Sequence, residues 1–392
     1  MRGWRGSFTM TLKLGIGMLG YGFMAKAHTN AYKKIKYIFH PFPAEIELIA
    51  ICGRDKNKAQ EAAQRYQYQK WVIHWQDLVE DESIQVLDNT ATNDVHCEPC
   101  IAALEAGKHV IVEKPMALTL AEARKMYEVA KEAEKKGIKH MVAFNYRFVP
   151  ALRLARKLIN EGKLGRIYQF RSNFLSDRLS NPQAPWAWRL SKEKAGSGVL
   201  GDLNSHAIDM VRFLLQTEVQ AVLAWNPTLI SHRLTPEGKS CPVEVDDVSL
   251  IWLKLANGAV ACLEASKVAT GYKTTWRIEI HGSEGALAFD LIRGNELQFF
   301  SRRDPVEIQG FRLIHVTEPE VHDYISYWWP RGHGLGWEHY HINMLEHFLR
   351  CIATGDNVAP WGATFLDGLR CQEVIEAALT SSRQGGWIEL VY

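Results

Sequence analysis

The first part of the chain alternates short apolar segments with amphipathic ones, and this alternation restricts the fold more than any other feature. Strand-like segments such as "LKLGIGMLG", "EIELIAICG", "QVLDNTA" and "KHVIVEK" are separated by helix-like segments such as "DKNKAQEAAQRY" and "LTLAEARKMYEVAKEAEKKG". Strands and helices that follow one another in this way form βαβ units, whose parallel strands build one doubly wound sheet. The sequence therefore predicts an α/β domain over residues 1–143, in which residues 1–11 are a loose tail.

The pattern changes after residue 143 to that of an α+β domain. Two helix-like segments, "PALRLARKLINEGKLG" and "GDLNSHAIDMVRFLLQ", precede long segments such as "VSLIWLKLANGAVACLEASKV", in which apolar and polar residues alternate. This alternation is typical of antiparallel strands with one packed and one exposed face, and Asn257-Gly258 between two such runs predicts a tight hairpin. For residues 144–392 we therefore expect a mostly antiparallel sheet with helices on one face.

Charge and composition exclude several classes of partner. The chain of 392 residues has a net charge of +2, which offers no electrostatic basis for binding nucleic acid. No segment is long and apolar enough to span a bilayer. The seven cysteines are scattered, mostly in apolar runs, as is typical of a reduced compartment. We expect a cytoplasmic protein with no nucleic-acid or membrane partner.

A glycine-rich turn ends the first predicted strand. It reads Gly20-x-Gly22-x-x-Ala25 and comes directly before a helix. Glycines here permit a tight turn and let the backbone approach a pyrophosphate, which binds at the positive end of the helix. On the first strand-to-helix turn of a βαβ series, this motif predicts a dinucleotide site. We expect cofactor contacts from Gly20, Tyr21, Gly22, Phe23 and Met24.

The second predicted strand lacks the acidic residue that NAD-preferring folds usually carry at its end. Gly53 stands in that place and Arg54 follows it. An arginine suits the 2′-phosphate of NADP because its guanidinium group binds phosphate with two parallel hydrogen bonds. Asp55, one position later, remains a candidate for a ribose hydroxyl. The cofactor expected is NAD or NADP, with a slight lean towards NADP.

Two charged residues, Glu113 and Lys114, end the apolar segment "HVIV" and are followed by Pro115. Charges at the end of a buried strand are costly unless they are paired or functional. In a doubly wound sheet, ligands bind outside the carboxyl ends of the strands. We therefore expect Lys114 to face the nicotinamide of the bound cofactor.

The segment "GSGVLGDLNSHAID" contains a second candidate constellation. Asp202 and His206 are four residues apart, so on an α-helix they share one face. The glycines at 196, 198 and 201 predict a flexible loop that approaches a ligand closely. A helix-capping aspartate and a hydrogen-bonded interfacial histidine remain an alternative interpretation. Neither this pair nor "HCEPC" at 96–100 has enough ligands for a metal site, so no metal is expected.

Together, these motifs resemble those of one family. The turn at 20–22, "NTATNDVH" at 89–96, "EKPMALTLAEA" at 113–123, "FNYRFVP" at 144–150 and "GSGVLGDLNSHAID" at 196–209 are similar, in this order, to the glucose–fructose oxidoreductase/inositol dehydrogenase (Gfo/Idh/MocA) family. The resemblance extends from about residue 12 over nearly the whole chain. Within the family, "GSGVLGDLNSHAIDMVRFL" and "GHGLGWEHYH" are most similar to the levoglucosan dehydrogenase group. The chain departs at Ala91-Thr92, where the family usually has Thr-Pro.

The resemblance implies a Rossmann domain followed by an α+β domain with a large open sheet, used for substrate binding and for assembly into homodimers or homotetramers. It implies oxidation or reduction of one carbon of a sugar, anhydrosugar or cyclitol with NAD(P). It makes Lys114, Asp202 and His206 the catalytic residues and predicts a cis peptide before Pro115. The remaining expected cofactor contacts are Ala91, Asn93, His96, Glu113 and Lys114 itself. The residues expected to bind substrate are Lys114, Tyr146, Arg147, Trp188, Asp202, His206 and His333, with Trp337, His339 and His341 as further candidates.

Chemistry restricts the roles of these residues. Oxidising an alcohol needs a base within hydrogen-bond reach of the hydroxyl, with a pKa near the working pH. An ordinary lysine pKa of about 10.4 must fall for this task, and burial beside the positively charged nicotinamide lowers it. Lys114 or His206 is the expected base, Lys114 being favoured; Asp202 accepts substrate hydroxyls, and Glu113 binds cofactor or backbone. An NAD-dependent glycoside hydrolase and a non-catalytic dinucleotide sensor remain the alternatives.

Overall fold

The computed structural model describes residues 12–320 and 323–392, so the tail predicted for residues 1–11 lies outside the described residues. The strands in chain order are β1 (Leu12–Leu19), β2 (Ala44–Cys52), β3 (Lys70–Val72), β4 (Val86–Asn89), β5 (His109–Val112), β6 (His140–Val142), β7 (Ile167–Leu175), β8 (Val219–Trp225), β9 (His232–Leu234), β10 (Ser240–Pro242), β11 (Val248–Leu255), β12 (Val260–Ser266), β13 (Thr275–Gly282), β14 (Gly285–Asp290), β15 (Glu296–Ser301), β16 (Arg312–His315) and β17 (Ile388–Glu389).

The α-helices in chain order are α1 (Phe23–Ile38), α2 (Lys56–Tyr66), α3 (Gln76–Glu80), α4 (Cys97–Glu105), α5 (Leu120–Glu134), α6 (Pro150–Asn160), α7 (Lys192–Ala195), α8 (Ser205–Leu215), α9 (Trp337–Thr354) and α10 (Phe365–Gln384). The segment "HCEPC" supplies the N-cap residue, His96, and the first residues of α4. Within the described part of the chain, no helix combines the length and the apolar character needed to cross a membrane.

The first sheet has six strands in the order β3-β2-β1-β4-β5-β6. All of its neighbouring strands are parallel, which confirms the predicted doubly wound sheet. The strand order reverses between β1 and β4, and at such a switch point a crevice opens beyond the carboxyl ends of the strands. The glycine turn after β1 and the Glu113-Lys114 pair after β5 therefore lie on the same edge of the sheet.

The second sheet has nine strands in the order β16-β15-β14-β13-β7-β12-β11-β8-β17. Only the β7–β12 pair is parallel within this sheet, so the predicted, mostly antiparallel α+β architecture is confirmed. The predicted hairpin joins β11 to β12, and Gly258 in its turn has a φ of +81°, which few residues other than glycine adopt. A short pair, β9 and β10, forms a separate two-stranded sheet.

The two helices at the end of the chain return to the first sheet. Helix α9 packs on α1, and α10 packs on α5 as well as on β8 of the second sheet. The amide of Val142, at the end of β6, donates a hydrogen bond of 2.7 Å to the carbonyl of Ala363. Both sheets consequently share one continuous apolar core, and the carboxyl edge of the first sheet faces residues from the second.

Candidate active site

A cavity of about 1310 Å³ opens along the carboxyl edge of the first sheet. From that sheet it is lined by the residues that follow β1, β2, β4 and β5. From the rest of the chain it is lined by the residues that follow β7 and β12 and by the first turn of α9. The cavity therefore lies where a doubly wound fold binds its ligand, with a second wall supplied by the α+β part.

The turn between β1 and α1 is shaped for close approach of a ligand. Gly20 has a φ of +104°, and a Cβ there would lie 2.9 Å from the Thr90 hydroxyl oxygen, so only glycine fits. Gly22 caps α1, and apart from its neighbours in the chain no described residue comes within 4 Å of the position that its Cβ would take. No side chain caps α1, and its first turn holds no acidic residue. The positive end of this helix thus faces the cavity and fits a dinucleotide pyrophosphate.

Close packing against the Tyr21 ring explains the glycine at position 53, which the sequence alone did not reveal. A Cβ at this position would lie 1.9 Å from Cε1 of the Tyr21 ring, so the ring needs a glycine beneath it. The absence of an acid at 53 therefore follows from the place of Tyr21. Arg54 is exposed and lines the cavity, whereas Asp55 accepts hydrogen bonds from the amides of Asn57 and Lys58 and caps α2. The Asp55 carboxylate thus already accepts hydrogen bonds from the backbone at the start of α2.

Lys114 is held in the cavity by Asp202. Its ammonium group donates hydrogen bonds of 2.8 Å to Oδ1 and 2.7 Å to the carbonyl oxygen of Asp202, 88 residues away in the chain. The other carboxylate oxygen, Oδ2, lies 2.7 Å from Nζ of Lys267. Burial favours the uncharged carboxyl, but the charges of Lys114, Lys267 and Arg189 hold the pKa of Asp202 well below its ordinary value. Asp202 is therefore an anion between two lysines.

The backbone around Asp202 differs from the predicted α-helix. Residues 200–204 form a π-helical turn, and α8 begins only at Ser205. Wider turns of this kind are uncommon and occur frequently at functional sites. Asp202 and His206 both line the cavity, but across the junction of two helix types rather than on one regular face.

His206 is a neutral imidazole among aromatic rings. The rings of Tyr146 and Trp276 lie 4.8 Å and 6.2 Å from it, between centroids. Burial, and next the charge of Lys114, keep the pKa of His206 well below its ordinary value. Its Nδ1 atom is buried and has no hydrogen-bond partner among the described residues. His206 can therefore form hydrogen bonds with a ligand without carrying a charge.

Glu113 is tied to a buried ion-pair network beneath the cavity. Its Oε2 accepts a hydrogen bond from the amide of Lys114, and its Oε1 lies 3.3 Å from Nε2 of His28. His28 also contacts Asp88, at 2.9 Å. Burial lowers the pKa of His28, but Asp88 and Glu113 outweigh it and raise that pKa to about 10. Burial raises the pKa of Glu113, but His28 and Lys114 reduce it to about 2. Glu113 therefore binds the backbone of Lys114, which is one of the two contacts expected for it.

Most of the predicted site residues line the cavity, and the predicted cis peptide between Lys114 and Pro115 is present. The predicted residues that line it are Gly20, Tyr21, Gly22, Phe23, Met24, Gly53, Arg54, Ala91, Asn93, Glu113, Lys114, Tyr146, Trp188, Asp202 and His206. Three of the expected cofactor and substrate contacts, His96, Arg147 and His333, do not line it, and neither do the further candidates Asp55 and His339.

His96, an expected cofactor contact, is fully buried and does not line the cavity. Its Nδ1 lies 3.0 Å from the carbonyl oxygen of Pro115, and its Nε2 lies 3.3 Å from that of Ala91. The ring therefore joins the loop after β4 to the loop after β5. It supports residues of the cavity wall rather than a ligand.

Arg147, an expected substrate contact, is also absent from the cavity wall and is only 3% exposed. Its Nε and Nη2 atoms donate hydrogen bonds of 2.9 Å and 2.5 Å to the carboxylate of Asp209. Nη2 also lies 3.2 Å from Oδ1 of Asp367, on α10. The prediction for Arg147 was wrong because these two acids, distant in sequence, enclose the guanidinium group.

His333 is exposed and does not line the cavity. Its Nδ1 lies 2.8 Å from the carbonyl oxygen of Pro330, within its own turn. Of its three companions, Trp337 and His341 line the cavity, whereas His339 does not. The difference arises because α9 begins at Trp337, so only residues on one side of its first turns face inwards.

The glycines before Asp202 pack closely against other parts of the protein, and Gly198 also lines the cavity. A Cβ on Gly198 would lie 1.9 Å from the carbonyl oxygen of Asp246, and one on Gly201 would lie 2.5 Å from the hydroxyl oxygen of Ser197. The Asp246 carboxylate accepts hydrogen bonds of 2.7 Å from the amides of Gly198 and Leu200. The segment is thus held by Asp246 rather than flexible, and close packing at Gly198 and Gly201 requires glycine.

Two residues of the cavity wall, Lys267 and Arg189, were not predicted from the sequence, and a third, Trp337, was only a further candidate. Lys267 directly follows β12, and Arg189 lies on the loop beside Trp188. Trp337 stacks on Phe23 with 5.3 Å between the ring centroids. Burial raises the pKa of Tyr146, and a hydrogen bond from the Trp337 indole partly opposes this increase. A lysine after an alternating strand was the only available signal for Lys267.

Comparison with known proteins places this architecture in a family. A sequence model described as an oxidoreductase family with an NAD-binding Rossmann fold matches residues 14–141, and one for the Gfo/Idh/MocA C-terminal domain matches residues 152–288. A levoglucosan dehydrogenase from Pseudarthrobacter phenanthrenivorans is 38% identical over 96% of this chain and 98% of its own length. The chain belongs to the Gfo/Idh/MocA family. The family predicted from the motifs is therefore confirmed.

Solved structures agree with this assignment to the Gfo/Idh/MocA family. An oxidoreductase domain protein from Kribbella flavida has a TM-score of 0.93 at 41% identity and covers 97% of this chain and 100% of its own. A levoglucosan dehydrogenase in complex with NADH and levoglucosan has a TM-score of 0.90 at 39% identity and covers 96% and 99%. The protein is thus an oxidoreductase with an NAD-binding Rossmann domain. Among the residues that the structure describes, no group of three or more His, Cys, Asp or Glu side chains could hold a metal ion.

Proposed function

We propose that the protein transfers a hydride between a secondary alcohol carbon of a sugar, an anhydrosugar or a cyclitol and a nicotinamide cofactor. The observation that carries this proposal is the meeting of Lys114, Asp202 and His206 in the cavity on the carboxyl edge of a Rossmann sheet. The chain is also similar to a levoglucosan dehydrogenase solved in complex with NADH and levoglucosan. This similarity supports a neutral anhydrosugar as the first substrate to test.

Lys114 is the proposed acid/base. A lysine nitrogen has three positions for hydrogen bonds, and Asp202 uses two of them, so one remains for a substrate hydroxyl. His206 stays uncharged at neutral pH and is a poor proton acceptor, which favours a role in orienting the hydroxyl. A bound oxidised nicotinamide would supply the hydride acceptor. In the proposal, Lys114 takes the hydroxyl proton during oxidation and returns it during reduction.

A substrate panel tests the proposed reaction directly. The protein is mixed with NAD or NADP and with levoglucosan, glucose, myo-inositol or scyllo-inositol, and the absorbance of reduced nicotinamide is followed. We expect an increase that depends on the sugar. Cleavage of an aryl glycoside without net reduction would support the glycoside hydrolase alternative instead. NADH binding without turnover of any substrate would support the sensor.

Cofactor preference is proposed from Arg54. This side chain is exposed in the cavity wall, and no ion-pair partner for it is found among the described residues, which supports acceptance of a 2′-phosphate. We expect Arg54→Ala to reduce kcat/KM for NADP about tenfold, because a charge-assisted hydrogen bond contributes roughly 1.5–3 kcal/mol. The value for NAD should change less than about twofold. An equal loss with both cofactors would contradict a specific role for Arg54.

We further propose that the open face of the second sheet joins subunits in a homodimer or homotetramer. Trp225 and Trp252 lie on that face and are 59% and 43% exposed, and Val260 beside them is 49% exposed. Exposed apolar patches of this kind mark protein contact surfaces. We expect Trp252→Glu to decrease the mass measured by light scattering, whereas Phe311→Glu, at an exposed loop position, should leave it unchanged. A wild-type monomer at micromolar concentration would contradict the proposal.

A further inference from the structure

Lys267 is placed to control the orientation of the Asp202 carboxylate. Its Nζ lies 2.7 Å from Oδ2 of Asp202, while Lys114 binds Oδ1 of the same carboxylate at 2.8 Å. The two lysines therefore divide the two oxygens between them. Neither the motifs of the sequence nor the proposed reaction assigns a task to Lys267.

The backbone of Lys267 is anchored on both sides. Its amide donates a hydrogen bond of 3.1 Å to the carbonyl of Asp247, and its carbonyl accepts one of 2.8 Å from the amide of Leu179. The Lys267 side chain is only 9% exposed, so its ammonium group has little freedom to leave Asp202. The Asp202 side chain, by contrast, is 29% exposed towards the cavity. Lys267 is thus the more restrained partner of this pair.

The other charged groups near this pair are already engaged or unsuited to replace Lys267. Burial raises the pKa of Asp246, and the charge of Lys267 partly opposes this increase. The Asp246 carboxylate, however, binds two backbone amides in the loop before Asp202. Arg189 acts on Asp202 through its charge, and no hydrogen bond joins these two side chains in the described part of the chain. Glu113 is paired with His28. Among the described residues, no side chain other than that of Lys267 forms a hydrogen bond or ion pair with Oδ2 of Asp202.

We propose that Lys267 is a positioning residue that binds Oδ2 of Asp202 and thereby turns Oδ1 towards Lys114. A free carboxylate rotates about its last side-chain bond, so Lys114 would lose one of its two fixed acceptors on Asp202. The hydrogen bond to the Asp202 carbonyl oxygen alone does not fix the direction of the Lys114 nitrogen towards the substrate hydroxyl. Small misplacements of reacting groups reduce rates strongly, because catalysis depends on near-attack geometry. This inference rests on the proposed function, in which Lys114 exchanges the proton.

The test compares Lys267→Met with Lys267→Arg and with Lys273→Met as a matched control. Lys273 also forms a lysine–aspartate pair, at 2.7 Å from Asp177, but it is exposed and does not line the cavity. With levoglucosan as substrate, we expect Lys267→Met to lower kcat about 30–100-fold, with KM for levoglucosan and Kd for NADH within about threefold of wild type. Lys267→Arg, which keeps the charge and the donor, should recover most of kcat. Lys273→Met should match wild type.

A rise in KM with unchanged kcat in Lys267→Met would overturn the proposal and make Lys267 a substrate-binding residue. Failure of Lys267→Arg to exceed Lys267→Met would also overturn it. If wild type oxidises no sugar of the panel, the proposed function fails, and the positioning role is then tested by crystal structures. In Lys267→Met, we expect the distance from Asp202 Oδ1 to Lys114 Nζ to exceed about 4 Å, the upper limit for an ion pair. An unchanged distance would overturn the positioning role independently of activity.

Discussion

Lys114→Met should lower kcat about 1000-fold while NADH still binds with a Kd within about threefold of wild type. Methionine keeps the length and apolar stem of lysine but cannot exchange a proton, and general acid–base groups contribute roughly 10²–10⁴-fold to rate. The Asp202 carboxylate keeps Lys267 as its partner, so the fold should tolerate the change. Turnover measured by absorbance and binding measured by NADH fluorescence separate the two effects.

Two further variants sharpen this prediction. Lys114→Arg retains the positive charge and the hydrogen bonds to Asp202, but an arginine in a protein does not give up its proton. If Lys114 is the base, Lys114→Arg stays as inactive as Lys114→Met; recovery by arginine would mean that Lys114 only holds Asp202. Lys125→Met, on the exposed side of α5, is the matched control and should keep full activity. A His206→Gln variant that loses more turnover than Lys114→Met would contradict the assignment of the base.

Arg147→Met should lower the free energy of unfolding by about 3–5 kcal/mol, because it leaves a buried carboxylate without its partner. Asp209 is only 1% exposed, and both of its oxygens accept hydrogen bonds from Arg147. Asp367 also loses a contact with Arg147 but keeps Arg212, at 2.7 Å. Urea unfolding followed by circular dichroism measures the change.

The double variant Arg147→Met/Asp209→Leu separates a structural role from a role in substrate binding. Removing both charges relieves the unpaired anion, so we expect it to recover most of the lost stability. Arg124→Met, which removes a 62% exposed arginine lying 4.0 Å from Glu373, should change stability by less than about 0.5 kcal/mol. A stable Arg147→Met enzyme with a raised KM for sugar would contradict the structural role and restore the original substrate assignment.

The local pattern of the chain was sufficient to predict the architecture and the wall of the cavity that the first sheet supplies. Alternating strands and helices imply a parallel sheet, and a parallel sheet brings all the carboxyl ends of its strands to one edge. That rule placed Gly20, Gly22 and Lys114 at the cavity, where the structure has them. Each of these predictions depends on residues within one or two elements, so no long-range contact had to be known.

The roles of other residues depend on partners that are distant in sequence. Arg147 and Asp209 are 62 residues apart, so the residues around Arg147 in the sequence do not reveal that it has a buried acidic partner. Gly53 looks like a missing acid until the Tyr21 ring is found over it. The glycines before Asp202 predict a flexible loop, but the segment is held by hydrogen bonds to Asp246. In each case, burial by a distant element decides whether a polar group or a glycine serves the fold or the ligand.

The amino-acid sequence by itself determined the doubly wound sheet and the position of Lys114, because these follow from short-range periodicity and from the edge at which parallel strands end. The family followed from the resemblance of the chain's motifs to those of its members. Only the tertiary structure decided what surrounds Lys114. Asp202 comes from a π-helical turn 88 residues further on, and Lys267 comes from the end of β12 in the other sheet. Their distances from Lys114 are set by how the two sheets pack around one core, which no local pattern encodes.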